Sequence, residues 1–594
     1  MNIKKILYKA LEDSFLHNNY SFDDLTLTVS NRPEEADFQC NSSFAIAKKV
    51  HTSPEIVANS IIANLNQSVA EVSFAKPGFI NFKIKNEALA EALNEANSND
   101  RLSLDELEEK ETVVMDYGGA NVAKELHVGH LRSPVIGESL ARLHKILGNK
   151  VITDTHLGDW GLQMGLTIAG LQEDGFIDGY FDSSKENKEI TLDTLNEVYP
   201  KASRRKNEDD AFRKKAEDFT KYIQDKKEPY WTIYQTIREI SVKRIKANYE
   251  NLGCFFDLWY GESNAADYVE PVVKMFVEKG LTREHEGAIV VDVAREGENI
   301  PIEKKNPDDP QLYKNPMPPV YLKKSNGADV YDTTDIATIL QRNEDYNPDR
   351  IVYVVDKRQA GHFEKCFRAV KMAGISGPEQ KLEFLGFGTV NGKDGKAFKT
   401  RSGDTIKLED IINLISDGAR KKLAENGIEN AEELALQIGV AAMKYGDLSN
   451  APSKDYIFDI DKFSSFEGKT GPYIQYTGAR INSLLKKAEL GDKFDDLASL
   501  KLIDIADENQ RKIAINFIKL QESYFTSYKE SSLSSLCSAV YDFAASFSKF
   551  YNDTRILSEK DENKKNSYLS LCLLVLKAIK QAASVLAFEI PEKM

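Results

Sequence analysis

Cysteine is scarce in this sequence and poorly spaced for its usual structural roles. The five cysteines, Cys40, Cys254, Cys366, Cys537 and Cys572, are odd in number and form no C-x-x-C pair. That excludes a disulfide framework and a zinc ribbon, and it points to a reducing compartment. Long apolar runs are lacking too: none approaches the ~18 residues a membrane helix needs. The amphipathic start, MNIKKILYKALEDSF, carries Glu12 and Asp13, whereas transit peptides are poor in acids. The expectation is a cytoplasmic protein with no membrane partner. Positive charge is in deficit, with 78 Lys+Arg against 93 Asp+Glu and a net charge of −15. This excludes a global basic field, so any nucleic-acid contact must use local patches. No internal repeat or low-complexity segment interrupts the 594 residues, a length that suits about three to five domains.

What is present is organised around Thr112 to Asp154, TVVMDYGGANVAKELHVGHLRSPVIGESLARLHKILGNKVITD. Thr112–Asp116 is a short β-branched apolar run. From Leu131 the apolar residues fall at helical spacing through Val135, Ile136, Leu140, Leu143, Ile146 and Leu147. Gly148 closes the helix, and Lys150–Thr153 returns as a strand. Such a unit implies a right-handed crossover, a parallel sheet, and a ligand at the carboxyl ends of the strands. Its loop holds His127-Val128-Gly129-His130. A helix N-terminus attracts phosphate, and two imidazoles on one face there can donate to an oxyanion. Gly129 lets a flat base approach the backbone. There is no Walker lysine and no G-x-G-x-x-G, so neither a P-loop nor a dinucleotide fingerprint is present. In isolation the pair also suits a zinc site or a surface cap. Its place between strand and helix favours phosphate.

ANVAKELHVGHLRS resembles the HIGH signature of class I aminoacyl-tRNA synthetases, in the form used by arginyl-tRNA synthetases. HLGDWGLQMG, His156 to Gly165, resembles the segment after the second strand of the same enzymes. The resemblance implies an α/β Rossmann-like catalytic core with an α+β N-terminal domain and an all-α C-terminal anticodon-binding domain of the DALR type. The boundaries expected are 1–110, 111–425 with a helical insertion over about 167–250, and 426–594. The implied activity is arginine–tRNA ligation with ATP, carried by a monomer.

A second strand–loop–helix unit is read in DRIVYVVDKRQAGHFEKCFRAVKMAG, after GADVYDTTDIATIL. The spacing puts Asp332, Asp335 and Gln359 at strand ends facing one crevice. A guanidinium is planar and always charged, and it seeks fixed carboxylates. By resemblance, Asp116 and Asp335 with Tyr331 hold it, while Asn121 and Gln359, with His127, orient the rest of the arginine. Such a pocket should reject citrulline, the neutral isostere. ATP falls to Ala120, Asn121, His127, Gly129, His130, Thr400, Arg401 and Ser402, with Mg²⁺ carried on its phosphates and no dedicated metal cage. FGTVNGKDGKAFKTRSG resembles the KMSKS lid, except that Ala397 stands at the first lysine position. Lys396 and Lys399 flank it, and the sequence leaves open which of them reaches the phosphates.

Contacts to tRNA are expected at Phe38, Asn41 and Phe79 in the first domain and at Tyr476, Arg480 and Tyr541 in the last. Exposed aromatics can stack on unpaired bases; the alternative is that they are core. The basic cluster in PKASRRKNEDDAFRKK is interrupted by acids and reads as a solvated helix face. Residues 101–111 read as a polar helical linker, and Leu252 to Glu262 as a strand returning to the core. Three rival readings remain: a class I synthetase for another amino acid, a small nucleotidyltransferase, and a non-catalytic tRNA-binding relative.

Overall fold

The computed structural model describes residues 2–30, 32, 34–295, 298, 317–325, 330–392, 395, 406–425, 427–428, 431–490 and 493–594. The first domain pairs the amphipathic helix Ile3–His17 with a four-stranded antiparallel sheet of order β1-β2-β4-β3. Its strands are β1 (Thr28–Val29), β2 (Phe38–Cys40), β3 (Ala70–Ala75) and β4 (Phe79–Ile84). The alternation over Leu25–Val29 therefore yields only a two-residue strand. Residues 101–111 contain turns and no helix, a correction to the linker expected there. Leu102 and Ser103 adopt φ of 53° and 57°, a left-handed pair that no helix accepts.

The catalytic sheet is parallel, of order β11-β10-β5-β6, with β5 (Thr112–Tyr117), β6 (Lys150–Asp154), β10 (Arg350–Asp356) and β11 (Lys381–Phe387). Both of its faces are covered, as parallel sheets require. Val113, Met115 and Tyr117 enter one core with the helix Arg132–Ile146, while Val114 and Ile351 enter another with the helices Ala266–Glu278, Tyr331–Tyr346 and Ala360–Ala373. A three-stranded antiparallel sheet, β7 (Thr282–His285), β8 (Ala288–Val291) and β9 (Val320–Lys323), flanks this second core. Leu252 to Glu262 forms no strand of its own. It runs beside the end of β6 through single bridges, Asp154 to Leu258 and Leu157 to Gly261. The expected helical insertion is four α-helices and one short 3-10 helix between Leu162 and Asn251.

From Leu408 onward the chain is almost wholly helical. Glu562–Val585 is long and apolar enough to cross a membrane, but 78% of its apolar window is buried within the protein. Lys577 and Lys580 break its run, which is why the sequence did not show it. The first and last domains clasp each other. Arg511, 7% exposed, pairs with Asp37 at 2.5 Å and donates to the Ile84 carbonyl and Asn86 Oδ1 at 2.8 and 2.7 Å. Asn94 exchanges two hydrogen bonds of 2.8 Å with the main chain of Ile503.

Candidate active site

The helix Arg132–Ile146 starts at the carboxyl edge of the parallel sheet, and its first turn is pinned there. Ser133 Oγ accepts the Gly118 N–H at 2.7 Å and donates to the Val354 carbonyl at 2.6 Å, tying it to the ends of β5 and β10. Gly137 lets the helix lie directly on β5; a Cβ there would stand 2.2 Å from Tyr117 Cγ. Gly118 follows β5 with φ +74°, a turn that favours glycine.

Just before this helix, the rings of His127 and His130 face each other with centroids 4.0 Å apart. His127 Nδ1 accepts the Gly129 N–H at 3.0 Å, and His130 Nδ1 accepts the His127 N–H at 3.1 Å. A ring nitrogen that accepts carries no hydrogen, so in the neutral rings the proton sits on Nε2. Burial lowers the His127 pKa and, reinforced by His127, takes His130 down to about 3. Both rings are therefore neutral at pH 7 and present Nε2–H donors. Gly129 has a local role: a Cβ there would meet the His127 ring at 2.8 Å.

The candidate lid residues Lys396, Lys399, Thr400, Arg401 and Ser402 lie outside the described residues. The segment that follows them is stitched to the histidine loop. Val128 N–H donates to the Ile406 carbonyl and Leu408 N–H to the Leu126 carbonyl, both at 3.0 Å, around a bridge between His127 and Lys407. Arg132, 1% exposed, anchors the same region from behind. It makes hydrogen bonds of 2.9 and 3.3 Å to the Asp447 carboxylate and donates to the carbonyls of Gly388, Pro452 and Lys454.

The acid crevice differs from expectation at Asp116. Its carboxylate is met by the chain's own guanidinium: Arg342 Nη2 donates at 2.7 Å to both Asp116 and Asp154. Asp116 thus belongs to a buried internal ion pair, 4% exposed, with one of its oxygens on Arg342. The residue that the sequence reading passed over is Glu262. It opens the short helix Glu262–Ala265, whose turn is built by the HLGDWG segment. Asp159, fully buried, accepts from the Ser263 N–H at 2.9 Å, its hydroxyl at 2.8 Å and Arg238 at 2.7 Å. Leu157 exchanges main-chain bonds with Tyr260 and Glu262. Burial, then Asp335 and Asp159, push the Glu262 carboxyl up to about 8. The Tyr331 hydroxyl is raised as well, first by Asp335, then by burial, Glu262 and Asp116. Asp335, Glu262 and Tyr331 therefore share one electrostatic neighbourhood. A carboxylate closing an apolar segment just before a helical turn was the signal available for Glu262.

Asn121 is exposed beside this crevice, bridged to Gly158, and Gln359 is exposed at the end of the turn that follows β10. Ala120 is buried and uses its carbonyl to accept the Gly158 N–H at 2.9 Å. Two clusters of acids with histidine or cysteine, of types that could hold a metal ion, occur among the described residues, Asp116/Asp154/His156 and Asp332/His362/Cys366. Cations of the chain already engage their acids: Arg342 in the first, His362 and Lys365 in the second.

Of the proposed tRNA residues, Phe38 is corrected. It is 2% exposed, in the core of the first domain, so its ring offers no free face. Phe79 is half-buried and meets Phe44 edge-on at 4.9 Å; Asn41 is half-buried with an unpartnered side-chain oxygen. Tyr476 is 44% exposed. The Arg480 guanidinium lies 3.8 Å from the centre of the Tyr551 ring, and Tyr541 packs on Tyr473 at 5.3 Å.

Comparison with known proteins agrees with this architecture. Residues 92–460 match the profile of the class I tRNA synthetase (R) catalytic domain, 474–594 the DALR anticodon binding domain, and 1–84 the arginyl tRNA synthetase N-terminal domain. An arginine–tRNA ligase of Alkaliphilus oremlandii is 41% identical, over 98% of each chain. One of Agathobacter rectalis is 40% identical over the whole of both. The arginyl-tRNA synthetase structure of Plasmodium falciparum superposes with a TM-score of 0.81 at 24% identity, covering 100% of this chain and 99% of that one. The Thermus thermophilus structure gives 0.74 at 21%, covering all of both. With its catalytic domain, its flanking domains and its full-length relatives all of one kind, the chain belongs to the class I arginyl-tRNA synthetases, the arginine–tRNA ligases.

Proposed function

We propose that the chain joins L-arginine to tRNA(Arg) through the following division of labour. The arginine carboxylate attacks the α-phosphate of ATP, giving arginyl-adenylate and pyrophosphate. The terminal adenosine of the tRNA, through its 2′-hydroxyl, then takes the arginyl group and AMP leaves. Such displacements need positioned reactants and neutralised charge more than covalent help. The Nε2–H groups of His127 and His130 serve as donors to the phosphate oxygens as charge develops. Lys396 or Lys399 holds pyrophosphate, with Thr400, Arg401 and Ser402 closing over ATP beside Ala120, Asn121 and Gly129. Asp335, Glu262 and Tyr331 take the guanidinium, and Asn121, His127 and Gln359 the α-amino group and carboxylate. Mg²⁺ arrives on the phosphates of ATP. Tyr476, Arg480 and Tyr541 contact the anticodon arm, and Asn41 and Phe79 the elbow. The enzyme works as a cytoplasmic monomer and requires tRNA before it activates arginine.

The observation that carries this reading is the acid-walled crevice next to two neutral histidines at one sheet edge. Class I enzymes for cysteine need a cysteine–zinc pocket and those for glutamate a cationic one; here a buried acid, Asp335, and a half-buried one, Glu262, act on the hydroxyl of Tyr331. The test is a charging assay with unfractionated tRNA and each amino acid in turn, plus citrulline. Charging by arginine alone is expected. Charging by another amino acid, or by citrulline at a comparable rate, would sink the assignment.

A further inference from the structure

His362 lies two residues into the helix Ala360–Ala373 and is wedged between two acids of the neighbouring helix Tyr331–Tyr346. Its Nδ1 is 3.2 Å from Asp332 Oδ1, and its Nε2 meets Asp335 Oδ2 in a short contact. The ring also lies on Tyr331, centroids 4.6 Å apart at 31°. Ionised carboxylates only accept hydrogen bonds, and a neutral imidazole carries one N–H. Both ring nitrogens face carboxylate oxygens, so both must carry hydrogen: the residue is an imidazolium. Its charge balance supports this. Burial opposes the cation, but hydrogen bonds to Asp332 and Asp335 outweigh it and push the pKa up to about 12.

The two acids are held unequally. The second oxygen of Asp332 is taken by Lys365 at 2.5 Å and by the Tyr321 N–H at 3.2 Å. Asp332 is thereby saturated and acts as the fixed post of the clamp. Asp335, 4% exposed, has one oxygen on His362, and no hydrogen bond to its other oxygen is made among the described residues. A lone buried aspartate would have several rotamers. Held by a cation at one oxygen, it aims the other along one direction.

We propose that His362 is a positioning residue for arginine: a permanent imidazolium clamp that fixes Asp335 and Tyr331 so that one Asp335 oxygen is presented to the substrate guanidinium. This rests on the arginine pocket assigned above. Both ring nitrogens of His362 are taken by Asp332 and Asp335, which leaves no donor for phosphate, so its loss should fall on arginine binding and spare ATP.

Two measurements test it. The first uses the unaltered full-length protein with ¹⁵N-labelled histidine. Of its 8 histidines, one should keep the two-N–H imidazolium signature at about pH 9, well above the ordinary histidine pKa of about 6.5. Loss of every such signal by that pH would overturn the clamp without reliance on any variant. The second is charging kinetics at saturating tRNA for His362→Gln, Asp332→Asn and the double variant. His362→Gln keeps one donor but loses the charge. Its KM for arginine should rise about tenfold or more, the scale of a lost charged hydrogen bond, with KM for ATP moved by less than about twofold. The double variant should recover part of the loss, because removing Asp332's charge relieves the uncompensated pair. An unchanged arginine KM in His362→Gln, an equal rise for ATP, or losses that simply multiply in the double variant would each overturn the proposal. Asp335→Asn keeps the two readings apart. If it too leaves the arginine KM unchanged, the pocket assignment falls. If it raises that KM while His362→Gln does not, only the clamp falls.

Discussion

Glu262 is a carboxyl whose pKa, at about 8 instead of the usual 4.5, leaves it protonated at neutral pH. An arriving guanidinium favours the carboxylate, so arginine binding should expel a proton. Below the raised pKa that proton must be lost, so arginine affinity should climb with pH by up to about tenfold per unit and level off near pH 8. Calorimetry in buffers of different ionisation enthalpy measures the released proton directly, and Glu262→Gln should abolish both the release and the slope. The sign for folding is opposite. In the arginine-free protein the folded state holds this proton and the unfolded state does not, so stability from this group declines as pH rises from 4.5 to about 8. His130, with its pKa near 3, stays neutral at pH 7, and its link to folding has the opposite sign, with stability falling as pH drops below about 6.5. Its loss should instead appear in the chemical step. His130→Ala should slow aminoacylation by on the order of 10²–10³ while tRNA binding, followed by fluorescence titration, is retained. A near-normal charging rate would remove the pair from the phosphates.

At the scale of elements, the helix Arg132–Ile146 has its aim set from outside. Arg132 and Asp447 are buried partners from distant parts of the chain, so Arg132→Ala leaves an unpaired charge and should cost about 3–5 kcal/mol in denaturant unfolding. Gly137→Ala should cost about 1–3 kcal/mol by pushing that helix off Tyr117. It should also slow charging more than the stability loss explains. The elements around this helix were legible in the sequence because their periodicity changes from strand to helix within one short stretch, with glycine at the breaks. Local patterns failed where a tertiary partner decides. The partner of Asp116, Arg342, stands 226 positions away and cannot be seen from its neighbourhood. Phe38 looked available because alternation does not say which face of a strand is the core. The polar run 101–111 has helical composition, but its left-handed pair at Leu102 and Ser103 is a conformational fact with no glycine to signal it. Glu262 was hidden because its turn depends on Asp159, more than a hundred residues earlier.

Across the whole molecule, a net charge of −15 means that tRNA must be met by local cations and aromatics. Tyr476→Ala combined with Arg480→Ala should raise KM for tRNA by about tenfold or more, with KM for arginine unchanged in the same assay. The clasp at Arg511 makes a separate prediction. Arg511→Ala removes one half of the clasp and leaves Asn94 in place, so limited proteolysis should cut the first domain faster, while arginine KM holds steady.

That clasp also sets a dimension. The surfaces assigned to the tRNA elbow and to the anticodon arm belong to domains bolted to each other by Arg511 and Asn94, with the catalytic sheet between them in sequence. They behave as the two jaws of a caliper locked at one opening. On the proposed assignment of those surfaces, an RNA would be judged by the distance between two of its parts as well as by its bases, and one whose arms are shortened or splayed would be refused for its span alone.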